Sequence, residues 1–184
     1  MKIHHALLIL LSLFTSLGAQ ASALSALDAK LDDALSQIQR WATDPEIVAA
    51  VTEHNRTLPP EHSTLDQGKW SALSPQSPLI RAFTKNAAAQ RLAAHRAPWV
   101  LEAFVSDVRG LKVAFLSKPT NWSHFGKPKH DVPMSGKCWR GKIETDESTQ
   151  SRQIQIAVPI LDGDQPIGSL VVGIGLSELA VTQP

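Results

Sequence analysis

The residues best suited to chemistry crowd into one stretch, Ser117-Lys-Pro-Thr-Asn-Trp-Ser-His-Phe-Gly-Lys-Pro-Lys-His-Asp-Val-Pro-Met-Ser-Gly-Lys-Cys-Trp-Arg140. Aromatic walls with a few polar hooks are the composition of a small-ligand pocket, and Trp122, Phe125 and Trp139 would supply the walls. The same rings could instead plug the end of a sheet. His124, His130 and Cys138 are metal-ligating types, but their steps of six and eight residues match no compact zinc pattern, and solvated histidines are the plainer expectation. Ser135-Gly136 sits in no Gly-x-Ser-x-Gly elbow, and no glycine-rich phosphate loop occurs. No catalytic residue, metal ligand or cofactor is therefore assigned, and an exported hydrolase is the weakest of the readings.

A stretch of this kind needs a frame. Trp99 to Asp107 is rich in β-branched and aromatic residues, and Asp107-Val-Arg-Gly110 turns it into Leu111–Leu116, so the two runs form a hairpin. Ile154, Ile156, Val158 and Ile160 alternate as in a strand with one buried face, and Asp162-Gly-Asp-Gln165 returns the chain into Pro166–Leu176. Two hairpins flank an irregular middle.

Upstream the pattern is helical. Leu24, Leu27, Leu31, Leu35, Ile38 and Trp41 make one stripe of a long amphipathic helix. Asp44-Pro45-Glu46 predicts a second helix to about Glu53, and Asn55–His62 reads as a linker. Thr64-Leu-Asp-Gln67 has capping-box spacing for a short third helix ending near Gly68 or Trp70. Ser77-Pro78 opens a fourth that continues to His95, with His95 and Arg96 favouring its dipole. Helices first and antiparallel hairpins after is an α+β order.

The 184 residues suit one domain or a domain with a helical arm, and 43% hydrophobic with 19% charged residues is ordinary for a globular protein. A formal net charge of +1 predicts no electrostatic grip on nucleic acid or anionic lipid. Lys2, the apolar run Ala6–Phe14 and Ala19-Gln20-Ala21 have the layout of a secretory signal peptide cleaved near Ala21, the run being shorter than the about 20 residues of a membrane span. The chain is thus expected in the periplasm, without membrane insertion after cleavage. Cys138 has no internal partner and reads as a small buried hydrophobe.

Phe104-Val-Ser-Asp-Val-Arg-Gly-Leu-Lys-Val-Ala114, Thr120-Asn-Trp122, Trp139, Gly141–Thr149, Gln155–Asp162 and Pro166–Gly173 resemble, in that order, the bacterial Cache or PDC sensor domains, the extracytoplasmic PAS-like folds. The resemblance implies a five-stranded antiparallel sheet with a long N-terminal helix and short helices packed on one face. A ligand cavity would lie between the other face and the middle insertion. With the leader and the helical pattern upstream, the chain divides into a signal peptide (1–21), an N-terminal helical region (22–76), the sensor domain (77–180) and a tail (181–184). By similarity Thr120, Asn121 and Trp122 form the cavity-lining loop, Trp139 is the tryptophan that follows it, and Asp146 lies in an Asp-x-Ser-Thr-like turn. Asp107 shapes the hairpin. Phe125 adds an apolar wall, and Lys129 and Arg140 are further polar candidates. The family's acidic and aromatic group is replaced by Asn121, Trp122 and Ser123, and Lys127, Lys129 and His130 follow, so an anionic or neutral ligand is favoured. Family members commonly feed a kinase, cyclase or chemotaxis output. Here the expectation is a stand-alone sensor-type domain acting through a membrane-bound signalling protein, with the N-terminal helix as a possible homodimer surface. An interaction module whose pocket is filled by its own side chains is the alternative.

Overall fold

A computed structural model describes residues 25–145 and 151–181. The expected leader, its cut near Ala21 and Asp146 lie outside the described residues. Two compact units meet between Leu35 and Ser36. The described part of the first is helical, and that helix (α1) runs over residues 25–42 into the second.

Within the second unit, local chemistry sets each helix end. Asp44 caps α2 (Pro45–Arg56) by accepting from the Glu46 N–H at 3.1 Å, with Pro45 preset in the first turn, and the helix runs one turn past its expected end at Glu53. The expected linker holds a one-turn helix, α3 (Pro60–Ser63), because Pro60 also occupies a first-turn position. Asp66, not Thr64, caps α4 (Gln67–Ala72), accepting from the Lys69 N–H at 2.8 Å. Thr64 is already committed, its hydroxyl donating to the Glu61 carbonyl at 3.3 Å. The single helix expected over 78–95 is two, α5 (Pro78–Lys85) and α6 (Ala87–His95). Asn86 divides them: its Oδ1 accepts from the Ala89 N–H at 2.9 Å and its Nδ2 donates to the Val113 carbonyl at 2.8 Å, which pins the break to the sheet.

The strands are β1 (Val100–Asp107), β2 (Lys112–Phe115), β3 (Trp139–Arg140), β4 (Glu144–Thr145), β5 (Arg152–Asp162) and β6 (Gln165–Gly175). Five of them run β2-β1-β6-β5-β3, all antiparallel pairings, and β4 adds to β5 as a sixth. Both predicted hairpins form, turning through Gly110 (φ 74°) and Gly163 (φ 58°). The middle stretch contains a helix the sequence did not suggest, α7 (Pro128–Met134), since Pro128 takes a first-turn position where proline favours a helix. A short α8 (Leu176–Val181) follows β6.

The two sheet faces have different coverings. Ile154, Ile156, Val158 and Ile160 pair with Ile174, Val172, Leu170 and Gly168, and Val51 of α2 rests against Gly168, where a Cβ would meet it at 2.9 Å. Trp41 near the end of α1 stacks on Trp99 at 5.6 Å and on His95 at 5.7 Å. On the other face Phe104, Val171, Ala157 and Phe115 join Trp70 of α4, Phe83 of α5 and Trp122 in one buried cluster. His130 of α7 also belongs to this side, its Nδ1 2.9 Å from Ser169 Oγ. Short helices therefore lie on both faces, and the second is left partly open.

Candidate functional site

The opening is a cleft of about 490 Å³. Leu101, Glu102 and Phe104 of β1 and Gln153 and Gln155 of β5 form its floor; Pro119, Thr120, Asn121 and His124 form one wall, and Lys129 of α7 another, with Ser151 at the rim. The floor can be polar because β6 carries Gly173 opposite Glu102. A side chain there would meet Glu102 Cγ at 2.6 Å, so glycine lets the carboxylate lie across the sheet. Lys129 Nζ donates to Gln155 Oε1, and Gln155 Nε2 donates to Glu102 Oε1, joining cation, amide and carboxylate in one row. Burial lowers the Lys129 pKa, with Glu102 and Glu144 opposing.

A side-chain clamp holds the wall. Gln67 donates from Nε2 to the Thr120 carbonyl at 3.0 Å and accepts the Trp122 N–H on Oε1 at 2.9 Å. That fixes backbone 120–122 so that Thr120 and Asn121 reach the cleft while Trp122 turns into the core. Trp122 is 4% exposed and packs 5.1 Å from the Trp70 ring. Next, His124 stacks on Phe104 at 4.9 Å and 13° and donates its backbone N–H to the Gly110 carbonyl at 3.0 Å. Behind it is Lys112, whose burial pushes its pKa down to about 7. Burial together with the Lys112 and Lys129 charges pushes His124 to about 3.

Of the residues predicted for a site, Thr120, Asn121 and Lys129 meet in this cleft. The others are placed elsewhere. Trp122 completes the aromatic cluster, because burying so large a ring is worth more there than lining a wet wall. Phe125 is 74% exposed and borders a separate hollow of about 420 Å³ with Val108 and Met134. Trp139 is half-buried beside Gln153 and Gln155, lining a small neighbouring cavity, with its ring against Gly141. Arg140 is exposed on the same edge strand. Among the unpredicted members are Glu102, Phe104, His124, Gln153 and Gln155. Two had a signal: Gln153 and Gln155 are the polar half of the alternation that marked β5.

The histidines and the cysteine correct the sequence expectation. His124 and His130 are not solvated but 4% and 1% exposed, held by Lys112 and by Ser169 with the Val108 carbonyl. Cys138 is exposed rather than buried, and accepts from Gln39 Nε2 at 3.4 Å. Among the described residues no group of His, Cys, Asp or Glu could hold a metal ion. No described helix is long and apolar enough to cross a membrane.

Asp107 does not touch the cleft. Its Oδ1 accepts the Arg109 and Leu111 N–H groups, both at 2.9 Å, and its Oδ2 accepts from Arg109 Nε at 2.8 Å and His54 Nδ1 at 3.0 Å. Burial alone would raise this carboxyl, but the bonds from His54, Arg109 and Leu111 outweigh it and hold the pKa below its ordinary value. His54 Nε2 lies 2.9 Å from Nδ1 of His62 in α3, and burial, then the His54 charge, lower the His62 pKa to about 4.

No family model and no curated protein sequence matches the chain. Solved structures do. The sensor domain of the histidine kinase DctB from V. cholerae superposes with a TM-score of 0.51 at 15% identity over 90% of this chain and 58% of that one. The ligand-binding domain of the Pseudomonas aeruginosa amino acid chemoreceptor PctC, in complex with GABA, gives 0.51 at 12% identity over 90% of this chain and 62% of that one.

This is the Cache, or PDC, sensor fold.

The sequence resemblance is borne out at that level, and with it the α+β class and the antiparallel sheet. The chain spans less than two thirds of the length of either Cache structure.

Proposed function

We propose that this chain is an exported, periplasmic Cache-type domain that binds a small molecule in the cleft and passes the signal through a membrane-bound partner. The cleft carries the reading: it stays open at about 490 Å³ on the face where the aromatic loop could have filled it, with polar groups converging from three elements. DctB's sensor domain and PctC's GABA-bound domain, alike in fold, support it. Thr120, Asn121 and Lys129 are the contacts proposed from the sequence; Gln155 and Glu102 complete the floor. The leader at 1–21, the ligand-holding portion at 77–180 and homodimerisation through the N-terminal helix belong to the same proposal. The two neighbours are a sensor domain and a ligand-binding domain, and no residue of this chain is given a catalytic role.

Differential scanning fluorimetry against a metabolite panel tests this. At least one compound is expected to raise the melting temperature of the parent and to raise that of Lys129→Ala less, since a ligand that binds only the native state stabilises it in proportion to occupancy. If no compound shifts the parent, the interaction-module reading replaces this one.

A further inference from the structure

Behind the His124 wall sits a positive charge with no negative charge in contact. The β1–β2 register shifts at Val105/Ser106, which brings Lys112 opposite Ser106 and onto the cleft side of the sheet. Lys112 is 0% exposed. Its Nζ lies 3.3 Å from Ser106 Oγ, 3.4 Å from the Gly110 carbonyl and 2.6 Å from His124 Nδ1, and 4.9 Å from the centre of the Phe104 ring. An ammonium has three N–H donors. Here it finds three acceptors and an aromatic face, the surroundings of the charged form.

What is missing is the counter-ion. Among the described residues no carboxylate forms an ion pair with Lys112. The negative charges that influence it are Asp107, already bonded to His54 and Arg109, and Glu102 on the cleft floor; Lys129 adds a like charge. A buried charge left in this state is costly unless something compensates it.

The imidazole connects this charge to the cleft. Because Nδ1 faces the ammonium it must accept, so the ring's one proton sits on Nε2. Nε2 has no protein partner among the described residues, and the ring lines the cleft. Burial, followed by Lys112, Lys129, His130 and Lys127, keeps the ring neutral down to about pH 3, so it acts as an oriented donor rather than as a second cation. A hydrogen-bond partner on one ring nitrogen fixes metal-bound histidines in the same way, by deciding which nitrogen carries the proton.

We infer that the cleft takes an oxyanion, which the His124 Nε2–H binds in a tautomer fixed by Lys112, the ligand thereby supplying the counter-charge that the buried lysine lacks. This narrows the sensor reading and rests on it. Lys129, on the opposite wall, adds a second cation to the same space.

The test uses the full chain labelled uniformly with ¹⁵N, acetate as the simplest oxyanion and acetamide as its neutral isostere. Long-range ¹H–¹⁵N spectra below about pH 7 should show His124 protonated at Nε2, and acetate should move that resonance saturably. Acetamide and the double variant K112M/H124F, which keeps an apolar ring over Phe104, should each bind about tenfold more weakly or worse, as expected for losing a charge-assisted bond. A proton on Nδ1, acetate shifts in the Asn121 and Gln155 amides that bypass His124, or equal binding of acetate and acetamide would each overturn the inference. So would acetate that moves no cleft resonance at all. The sensor reading falls separately, only if the metabolite panel also fails to stabilise the parent.

Discussion

Asp107 and Lys112 stand two strand ends apart, and burial treats them oppositely. Asp107 is repaid by its hydrogen bonds, so its charged form belongs to the folded state, and its stabilisation is present above the ordinary carboxyl value of 3.8 and is lost as pH falls through the lowered one. Asp107→Asn would set an amide N–H against Arg109 or His54 in a buried site and should cost about 3 kcal/mol in urea unfolding at neutral pH. Lys112 runs the other way. The buried group releases its proton near 7, whereas in the unfolded chain it holds it to 10.5, so between these values the unfolded state binds more protons and stability rises with pH. Parent stability measured relative to Lys112→Met should therefore climb across that window, by up to about 1.4 kcal/mol per pH unit, and stay flat below it. A flat difference throughout would mean that Lys112 keeps its ordinary value of 10.5 in the fold and holds its proton there as it does in the unfolded chain.

The elements show which parts of this architecture are legible in sequence. Period-two isoleucines and turn glycines announced both hairpins, because strand alternation and positive φ leave few other solutions. The short helices were misjudged at single atoms: Asn86 Oδ1 splits what composition alone would join, and Asp66 outcompetes Thr64 for a cap. The loop residues of the cleft were found through the aromatic stretch that carries them. Glu102 and Gln155, facing inward from strands, were passed over because a polar residue on a strand usually faces water. Gly110 joins the legible and hidden parts. Its φ is +74°, and a Cβ there would meet the Phe125 backbone nitrogen at 2.5 Å, so the turn predicted from sequence also presses against the wall segment holding His124. Gly110→Ala should lower stability by about 2–4 kcal/mol, from the positive φ and the clash together. It should also shift the His124 resonance without ligand, whereas an effect confined to the hairpin would leave that resonance in place.

In the second unit, the sheet divides the work between its faces and, within the cleft face, between a dry cluster and a wet opening. Trp70, Phe83, Phe115 and Trp122 close the dry part, and the Trp70 Nε1–H finds the Pro119 carbonyl at 2.8 Å, directly beside Thr120. The segment that roofs the cleft is thus anchored by core packing on one side and exposes its polar groups on the other. The two roles should separate experimentally. Trp122→Ala removes a fully packed indole and should cost about 3–5 kcal/mol of unfolding free energy. At a temperature where that variant is still folded, its ligand-induced melting shift should be close to the parent's, because the Gln67 clamp reaches the Thr120 carbonyl independently of the indole. Lys129→Ala should do the reverse, changing unliganded stability by less than about 1 kcal/mol, as for a half-exposed polar contact, while cutting the ligand-induced shift. Were Trp122→Ala to abolish the ligand response while its unliganded melting temperature held, the indole would belong to the binding surface, and the loop would have a bound conformation different from the one described. Equal loss in both variants would instead mean that core and cleft unfold as one unit and that the roof has no stability of its own to lose.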